Sequence, residues 1–439
     1  MYKIYSSDDK AEYEISELAK MFAMDDEFVI ERDDKALSKN EQKRNAYKLL
    51  SKETGKTLDW GILTGVRPHK LYASLAKEKG VELANKIMKE EYYLSDEKIN
   101  LLNKVFRLQE DVLYNTDRKA IGLYIGIPFC PTRCSYCSFT SNKYTADKAD
   151  EYLKALEKEI VAVSKILESK GLFAESIYIG GGTPTALNDE QFEKLLTLTE
   201  EYFIEDRTKE FTVECGRPDT INRNKLLSVS RHHAGRISIN PQSMNQKTLD
   251  AIGRLHSPEA ITSAYKLARE TGDFIINMDM IAGLPGEDKD DFKYSLDKII
   301  DLNPENITVH TLAVKRASRL IEEDKYYAVR QAGVVREMLA YASAALDINK
   351  YQPYYLYRQK HMAGNFENVG YCKDNKASIY NIRIMEENQT IVALGAGGIS
   401  KVYYPDENRL ERVPNVSNYE VYIERIDEMI QRKENGIDG

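Results

Sequence analysis

The stretch that organises this chain is Gly122-Leu-Tyr-Ile-Gly-Ile-Pro-Phe-Cys-Pro-Thr-Arg-Cys-Ser-Tyr-Cys-Ser-Phe139. Its apolar first half predicts a buried strand, and a loop with three cysteines, Cys130, Cys134 and Cys137, follows directly. The spacing Cys-x3-Cys-x2-Cys puts three thiolates in one tight loop, where they can converge on three corners of an iron–sulfur cubane. Such clusters are normally held by four cysteines. Three ligands therefore leave one iron open for chemistry on a bound molecule.

Other uses of three cysteines fit the sequence less well. A structural zinc site takes four ligands, usually in two pairs, whereas the remaining cysteines, Cys215 and Cys372, are isolated and distant. No histidine near the loop completes a set. A disulfide framework is disfavoured, because five cysteines in a long chain without a secretory signal are typical of a reducing compartment.

The composition is that of an ordinary globular chain. Its 439 residues are enough for two or three domains, and 42% hydrophobic and 30% charged residues are typical of soluble proteins. A net charge of −8 argues against a broad nucleic-acid-binding surface. No run approaches the roughly 20 apolar residues of a membrane span, and the N-terminus does not resemble a signal peptide. We therefore expect a cytoplasmic protein without nucleic-acid partners or a membrane span.

From about residue 119 onward, strand-like runs alternate with amphipathic helical stretches. Strand–helix alternation with right-handed crossovers predicts an α/β fold whose parallel strands form a barrel or open barrel of six units. Functional groups in such barrels gather at the C-terminal strand ends. The predicted strands are Gly122–Ile127, Ser176–Gly180, Glu210–Glu214, Arg236–Asn240, Phe274–Asp279 and Asn306–His310.

The sequence predicts three domains. Residues 1–118 form a mixed α/β, mostly helical N-terminal extension, residues 119–317 form the core barrel, and residues 318–439 form a smaller α+β region that closes the barrel's open side. In the extension, the loop Trp60–Lys70 is interpreted either as a dock onto the core or as a turn around a buried tryptophan. The C-terminal region begins with a long helix at Asp324–Leu346. Antiparallel-looking segments follow, at Pro353–Arg358, Ser378–Met385, Thr390–Leu394 and Lys401–Tyr404.

Together with a second motif, the cysteine loop resembles the radical S-adenosylmethionine (SAM) superfamily. The second motif, Ile177-Tyr-Ile-Gly-Gly-Gly-Thr-Pro-Thr185, brings bare backbone to a strand end, where a ligand can approach closely. The resemblance implies a partial (β/α)6 radical SAM barrel and a [4Fe-4S] cluster held by Cys130, Cys134 and Cys137. In that family SAM binds the open iron, and one electron cleaves it to methionine and a 5′-deoxyadenosyl radical. The sequence leaves open whether one SAM molecule binds or two.

The same resemblance assigns a set of SAM-contacting residues, most of them at predicted strand ends. Tyr124 and Tyr136 would offer aromatic faces beside the cluster, and Arg254 offers a fork suited to a carboxylate. Each residue by itself is of an ordinary kind, but their order along the barrel favours a cofactor site. The full set is Tyr124, Tyr136, Gly181, Gly182, Thr183, Glu214, Gln242, Arg254, Asp279, Ala313 and Ile399.

Further motifs narrow the resemblance to the oxygen-independent coproporphyrinogen III oxidase group and, within it, to the HemZ-type branch. Ile-Pro-Phe-Cys, Ala-Gly-Leu-Pro-Gly-Glu and Ala-Leu-Gly-Ala-Gly-Gly-Ile-Ser look like the group, and Gly-Ile-Leu-Thr-Gly-Val-Arg-Pro and His-Thr-Leu-Ala-Val-Lys-Arg-Ala-Ser look like the branch. The resemblance covers essentially the whole chain. It implies oxidative decarboxylation of two propionates of coproporphyrinogen III to vinyls, giving protoporphyrinogen IX. Flavodoxin or ferredoxin is the implied electron donor.

A tetrapyrrole with four carboxylates needs cations in its pocket. Tyr355 and Tyr357 lie close in sequence to two of the basic candidates, although charge runs are also common on solvated surfaces. The candidate substrate residues are Lys315, Arg316, Arg358 and Lys360.

Two departures from the group keep other functions open. The coproporphyrinogen dehydrogenases carry a fourth cysteine where this chain has Phe139, and a histidine where it has Gly126. In this respect the chain looks like relatives that act as heme chaperones or open the heme ring. One alternative is thus a heme-binding chaperone, with His310 or His361 as axial ligand. The other is a radical SAM methyltransferase or ring-opening enzyme that acts on heme.

Overall fold

A computed structural model describes residues 1–23, 27–33, 37–114, 117–137, 141–313, 330–359 and 365–437. The strands are β1 (Tyr2–Ser6), β2 (Phe28–Arg32), β3 (Ala120–Ile127), β4 (Phe129–Cys130), β5 (Asn142–Lys143), β6 (Phe173–Gly181), β7 (Glu210–Gly216), β8 (Arg236–Ile239), β9 (Ile275–Ala282), β10 (Asn306–Thr311), β11 (Gln352–Arg358), β12 (Glu367–Cys372), β13 (Ile391–Leu394), β14 (Ile399–Tyr404) and β15 (Arg409–Pro414). The helices are α1 (Asp9–Ala19), α2 (Lys39–Thr54), α3 (Pro68–Lys79), α4 (Val81–Glu90), α5 (Asp96–Tyr114), α6 (Ala146–Ser169), α7 (Asp189–Phe203), α8 (Arg223–Arg231), α9 (Gln246–Ala251), α10 (Pro258–Thr271), α11 (Lys289–Leu302), α12 (Ala332–Ile348), α13 (Ile379–Glu386), α14 (Tyr419–Glu424) and α15 (Ile426–Gly436).

The centre of the fold is a sheet of eleven strands in the order β11-β12-β10-β9-β8-β7-β6-β3-β13-β14-β15. Six consecutive strands of this sheet, from β10 to β3, are parallel to one another. They coincide with the six strands predicted from the sequence. Helices lie between them in the chain, as strand–helix alternation requires. The predicted α/β barrel architecture is confirmed. The three-domain division stays a prediction.

Two expectations for the C-terminal region are wrong. β13 was expected to be antiparallel, but it pairs in parallel with β3 and adds a seventh parallel strand. Helix α13 lies between β12 and β13 in the chain, and β13 takes the direction of the six barrel strands, whereas β12 runs opposite to them. β11, β12, β14 and β15 are antiparallel to their neighbours on the two flanks of the sheet.

The second error concerns the predicted strand-like segment Ser378–Met385, which is helix α13. The carboxylate of Glu210, at the start of β7, accepts hydrogen bonds from Ser378 Oγ at 2.8 Å and from the amides of Ile379 and Tyr380 at 2.9 and 3.1 Å. A carboxylate at a helix N-terminus satisfies free amides and complements the helix dipole. Because this partner lies far away in the chain, local sequence did not reveal it.

The N-terminal region has its own small core and a polar contact with the barrel sheet. Ile4, Ile15, Leu18 and Leu50 belong to the small core. The Trp60 loop is a turn around a buried tryptophan, and it also packs on the sheet. It therefore meets both interpretations made from the sequence. Among the described residues, no helix is long and apolar enough to cross a membrane.

The contact between that loop and the sheet is called the dock, and it consists of Trp60, Lys98, Arg358 and Glu367. Trp60 Nε1 donates to Glu367 Oε2 at 2.7 Å, and Lys98 pairs with the other carboxylate oxygen. Arg358 donates to the carbonyl of Leu63 at 2.6 Å and lies over the Trp60 ring at 5.3 Å. These contacts join the extension to β11 and β12.

Candidate active site at the barrel mouth

The mouth of the barrel is formed by the C-terminal ends of the parallel strands, together with the cysteine loop at residues 128–145. The loop leaves β3, and its two ends pair as strands β4 and β5. The amide of Tyr144 donates to the carbonyl of Cys130 at 3.0 Å, and the amide of Ser135 donates to that of Ile252 at 3.1 Å. The structure therefore anchors the loop to itself and to the loop that follows α9.

The glycine motif packs directly on the cysteine loop. The amides of Gly182 and Thr183 donate to the carbonyls of Ile127 and Phe129, both at 2.8 Å. A Cβ atom on Gly182 would lie 2.5 Å from the Phe129 carbonyl oxygen and 3.0 Å from Cys130 Sγ. Only glycine permits this approach, so the two sequence motifs form one site.

The three cysteines are free thiols and partly exposed. Cys130 Sγ lies 3.5 Å from Thr183 Oγ1, and the amide of Cys137 donates to the carbonyl of Cys134 at 3.2 Å. Burial raises the pKa of the Cys130 thiol. Phe139, which replaces the fourth cysteine of the dehydrogenases, lies outside the described residues.

The donor set suits a cluster better than a single ion. Within the part of the chain that the structure describes, no three His, Cys, Asp or Glu side chains are close enough to hold one metal ion. A cubane spreads its thiolates over three irons, so the sulfurs need not crowd around one centre. Three thiols on one loop, set against a bare glycine backbone, are compatible with this arrangement.

Unsatisfied polar atoms at the mouth fit a second, polar ligand. Gln242 Oε1 and Arg254 Nε are buried and have no hydrogen-bond partner among the described residues. Gln242 adopts a left-handed backbone conformation with φ of 65°, which is unusual for a residue other than glycine. Buried polar groups are normally paired, so unpaired ones at a strand end indicate a missing ligand. SAM carries the carboxylate and amine that such groups would bind.

Arg254 links the cysteine loop to the strand ends. Its Nη1 donates to the carbonyl of Asn240 at 2.6 Å, and its Nη2 donates to the hydroxyl of Tyr136 at 3.2 Å. Tyr136 packs against a small apolar cluster made of Leu249, Ile252, Ile281, Leu284 and Leu312. Arg254 is thereby held in place with one nitrogen still free for a ligand.

Glu214 is the most strongly perturbed carboxyl group at the mouth. Burial and the nearby Asp279 raise its pKa to about 8. Its Oε2 accepts from the amide of Gly181 at 3.1 Å, where the glycine has φ of 114°. A carboxyl group of this kind is neutral at neutral pH and gains its charge when a cation approaches.

Asp279 behaves in the opposite way. Burial alone would raise its pKa, but the neighbouring His310, Asn277 and Thr308 outweigh burial and lower the pKa. Asn277 Nδ2 donates to Asp279 Oδ1 at 2.7 Å, and His310 Nε2 lies 3.7 Å from Oδ2. Tyr357 OH lies 3.5 Å from the other ring nitrogen of His310. The barrel interior thus holds one ionised and one neutral carboxyl group.

The remaining predicted contacts occupy more open positions. Tyr124 stacks on Tyr178 with ring centroids 6.3 Å apart. Ala313 is partly exposed just after β10. Ile399 is 48% exposed at the start of β14, after the turn that leaves β13. The structure gathers the other predicted SAM residues at the strand ends; the SAM contacts themselves remain predictions.

Of the four basic residues predicted to bind the substrate, the structure describes only Arg358. Lys315, Arg316 and Lys360, together with His361, lie outside the described residues. Arg358 is only 2% exposed, and its guanidinium donates to the carbonyls of Leu63 and Asn365. Its donors are engaged by these two carbonyls, and its assignment to the substrate stays a prediction.

Sequence reasoning missed two aromatic residues in the barrel. Tyr178 lies between Tyr124 and Tyr380, and its ring stacks on Tyr380 at 4.9 Å. Strand alternation puts Tyr178 on the same face as Gly180, so its position could have been predicted. Tyr380 had no such signal, because it reaches this place only through α13.

Comparisons with known proteins agree with this geometry. The family model described as "Radical SAM superfamily" matches residues 124–299. The oxygen-independent coproporphyrinogen-III oxidase-like protein HemZ of Bacillus subtilis (strain 168) is 40% identical over 391 residues, which cover 88% of this chain and 78% of that protein. The heme chaperone HemW of the same strain is 33% identical over 193 residues, 44% of this chain and 50% of HemW.

Among solved structures, coproporphyrinogen III oxidase (HemN) from Escherichia coli, a radical SAM enzyme, is similar in fold. The TM-score is 0.57 at 22% sequence identity, over 74% of this chain and 73% of that chain. This likeness concerns the fold, whereas the similarity to HemZ extends over most of both sequences. The cofactors of this family are a [4Fe-4S] cluster and SAM. The chain belongs to the radical SAM superfamily, in its family of oxygen-independent coproporphyrinogen III oxidase-like proteins.

Proposed function

We propose that this protein converts propionates of coproporphyrinogen III to vinyl groups by oxygen-independent oxidative decarboxylation, giving protoporphyrinogen IX. The observation that carries the proposal is the pairing of two features. The mouth joins the cysteine loop to unsatisfied ligand-binding groups, and the chain is similar to HemZ over 88% of its length.

Each part of the mouth has a role in this proposal. Cys130, Cys134 and Cys137 hold the cluster, Arg254 and Gln242 bind the polar groups of SAM, and Glu214 accepts a proton or a hydrogen bond at its edge. When bound, the cluster and SAM supply a 5′-deoxyadenosyl radical that removes a hydrogen atom from the propionate β-carbon. The resulting substrate radical would lose carbon dioxide and pass one electron to an external one-electron acceptor, which completes each vinyl group.

The barrel interior suits a flat polar ring system. Tyr124, Tyr178 and Tyr380 form a stack of aromatic rings, and Tyr357 and His310 contribute hydrogen-bonding groups. Aromatic side chains with polar ends suit ligands that are apolar on their faces and polar at their rims. In the proposal, Lys315, Arg316 and Lys360 neutralise the propionates, and flavodoxin or ferredoxin delivers the electron in the cytoplasm.

A second candidate, heme binding or heme modification, is favoured by the similarity to HemW and by Phe139 in place of a fourth cysteine. Axial ligation through His310 would need a free ring nitrogen. In the structure one nitrogen faces Tyr357 OH at 3.5 Å and the other faces Asp279 at 3.7 Å. Axial ligation through His310 would displace one of these contacts, and His361, the other candidate ligand, lies outside the described residues. The similarity to HemZ over most of both sequences makes the decarboxylation the first choice.

The test is an anaerobic product assay. The cluster is reconstituted and reduced with dithionite, SAM is added, and 5′-deoxyadenosine and porphyrin products are followed by mass spectrometry with coproporphyrinogen III or heme. We expect deoxyadenosine and protoporphyrinogen IX to rise together. Deoxyadenosine that rises with heme alone would replace the proposal with heme modification. Stable heme binding without SAM consumption would replace it with a chaperone role. The Cys134→Ala variant is the negative control.

A further inference from the structure

We infer that Arg217 is a positioning residue that clamps the cysteine loop, at the centre of a buried polar network joining this loop to the glycine motif. The inference rests on the proposed cluster site and is independent of the tetrapyrrole substrate. Arg217 lies just after β7, three residues after Glu214, and is not itself among the residues that the family resemblance assigns.

A β-bulge aims the arginine. The register between β7 and β8 shifts between Glu214 and Gly216, and Gly216 has φ of 57°. Bulges add local twist and re-aim side chains, and glycine adopts this conformation without steric cost. The amide of Arg217 then donates to the carbonyl of Cys215 at 2.6 Å, which fixes the start of its side chain.

The guanidinium is fully engaged and 3% exposed. Its Nη1 donates to Oγ1 and to the carbonyl of Thr132 at 2.7 and 3.2 Å. Its Nε and Nη2 form a two-point contact with Asp219 at 3.0 and 2.8 Å. A planar fork held at one end by a carboxylate has little freedom left at the other. Thr132 lies between Cys130 and Cys134, so the clamp acts on the segment that separates two cluster ligands.

This clamp is the principal anchor of its segment. Within the described part of the chain, no other hydrogen bond joins residues 131–133 to a neighbouring element. Later parts of the loop have their own anchors, from the amide of Ser135 to Ile252 and from Arg254 to Tyr136. Loss of Arg217 would therefore release the first half of the loop and loosen the bordering amides of Ser135 and Cys137, which donate to the carbonyls of Ile252 and Cys134.

The same network reaches the glycine motif. Thr220 Oγ1 lies 2.7 Å from Thr185 Oγ1 and donates to the carbonyl of Arg217 at 2.8 Å. The single proton of the Thr185 hydroxyl goes either to Thr220 Oγ1 or to the carbonyl of Cys215 at 2.8 Å, and Lys225 Nζ donates to the carbonyl of Thr220 at 3.2 Å. Lys225 Nζ, from α8, donates to the carbonyl of Thr185 at 2.7 Å. One connected set of bonds therefore sets the distance between the loop that holds the cluster and the motif that faces SAM.

The first experiment uses the full-length protein before cluster reconstitution. Amide hydrogen exchange of the peptide covering 131–137 is compared between wild type, Arg217→Met and Arg223→Met. Arg223 is the matched control. It lies on the nearby helix α8 and forms an exposed ion pair with Glu270 of α10. We expect at least about tenfold faster exchange at this peptide in Arg217→Met and no change in Arg223→Met, since protection follows local opening.

The second experiment follows the reconstituted cluster by iron content, electron paramagnetic resonance and midpoint potential. We expect Arg217→Met to hold less than half of the wild-type iron and to give an altered signal. Arg217→Lys restores the charge without the fork, so its iron content should be intermediate. Thr132→Val removes one acceptor and leaves the guanidinium paired with Asp219. The amide exchange rate and the midpoint potential of the cluster should change in the same direction as in Arg217→Met, but by a smaller amount.

Three results have distinct meanings. Wild-type exchange, iron content and spectrum in Arg217→Met would overturn the clamp. Faster exchange throughout the barrel, including the β9 peptide, would also overturn it, because Arg217 would then stabilise the whole fold. A local exchange effect with no SAM cleavage by the wild-type protein would support the clamp and contradict the proposed function.

Discussion

The mouth and the dock each bury an arginine, a carboxylate and aromatic rings, yet they differ in how their polar atoms are satisfied. In the dock, Arg358 and Glu367 have partners for their charged groups. At the mouth, Arg254 and Gln242 each leave a buried atom unpaired, and Glu214 has a strongly raised pKa. The same residue types thus serve two ends: satisfied groups join parts of the fold, and unsatisfied groups await a ligand.

The largest expected effect lies in the dock. Glu367→Gln should leave Lys98 and Arg358 without their counter-charge, and breaking a buried pair costs about 3–5 kcal/mol of unfolding free energy. Chemical denaturation would measure this loss. The control is Glu31→Gln, which removes the ion pair between Glu31 and Lys3. The two side chains are 40% and 63% exposed, so the loss of unfolding free energy should be less than about 1 kcal/mol. Equal losses in the two variants would remove the distinction between the regions.

The next effect is on binding at the mouth. Arg254→Met should weaken SAM binding to the reconstituted protein by about 2 kcal/mol, or about 30-fold, because a charged hydrogen-bond donor to the ligand is lost. Isothermal titration calorimetry would measure the affinity. Arg231→Met serves as the control, since Arg231 is 62% exposed and pairs with Glu193. An unchanged affinity in Arg254→Met would contradict the assignment of its free nitrogen to SAM.

A smaller effect is expected from the proton on Glu214. Its pKa is raised to about 8 because burial and Asp279 disfavour the charged form. The folded protein therefore holds this proton more tightly than the unfolded chain, so the stabilisation is complete below about pH 4.5 and is lost as the pH rises through 8. A cationic ligand favours ionised Glu214. SAM affinity should thus rise by up to about tenfold per pH unit between about pH 6 and 8, with release of a proton.

Calorimetry in buffers of different ionisation enthalpy measures this proton release. In Glu214→Gln the release should disappear and the pH dependence of the affinity should flatten. Proton release that persists in this variant would assign the titration to another group.

The smallest effect concerns Tyr178. Its hydroxyl acts to lower the pKa of Glu214, so Tyr178→Phe should shift the pH profile of SAM binding upward by less than about one unit. The ring stacking with Tyr380 is kept. Tyr202→Phe, on α7, is the control and should leave the profile in place. A downward shift in Tyr178→Phe would contradict the contact.

Regular periodicity made the barrel predictable, and long-range contacts limited the rest. The six barrel strands follow from their alternation with helices, because each strand and helix carries its own apolar pattern. Helix α13 was not predicted, because the carboxylate that binds its first amides belongs to Glu210, more than a hundred residues earlier in the chain. The burial of Arg358 could not be predicted for the same reason: its partner carbonyl on Leu63 belongs to the N-terminal loop.

The chemistry of the site is local in the chain, and its geometry is not. Three cysteines within eight residues and three consecutive glycines are recognisable in the sequence because cluster ligation and close backbone approach need those residue types at those spacings. The unpaired nitrogen of Arg254, the raised pKa of Glu214 and the hold of Arg217 on Thr132 depend on contacts between separate strands and loops. Burial and hydrogen-bond satisfaction are properties of the assembled fold. Only the tertiary structure therefore shows that the donors of Arg358 are bound within the protein, whereas Arg254 keeps one nitrogen without a partner among the described residues.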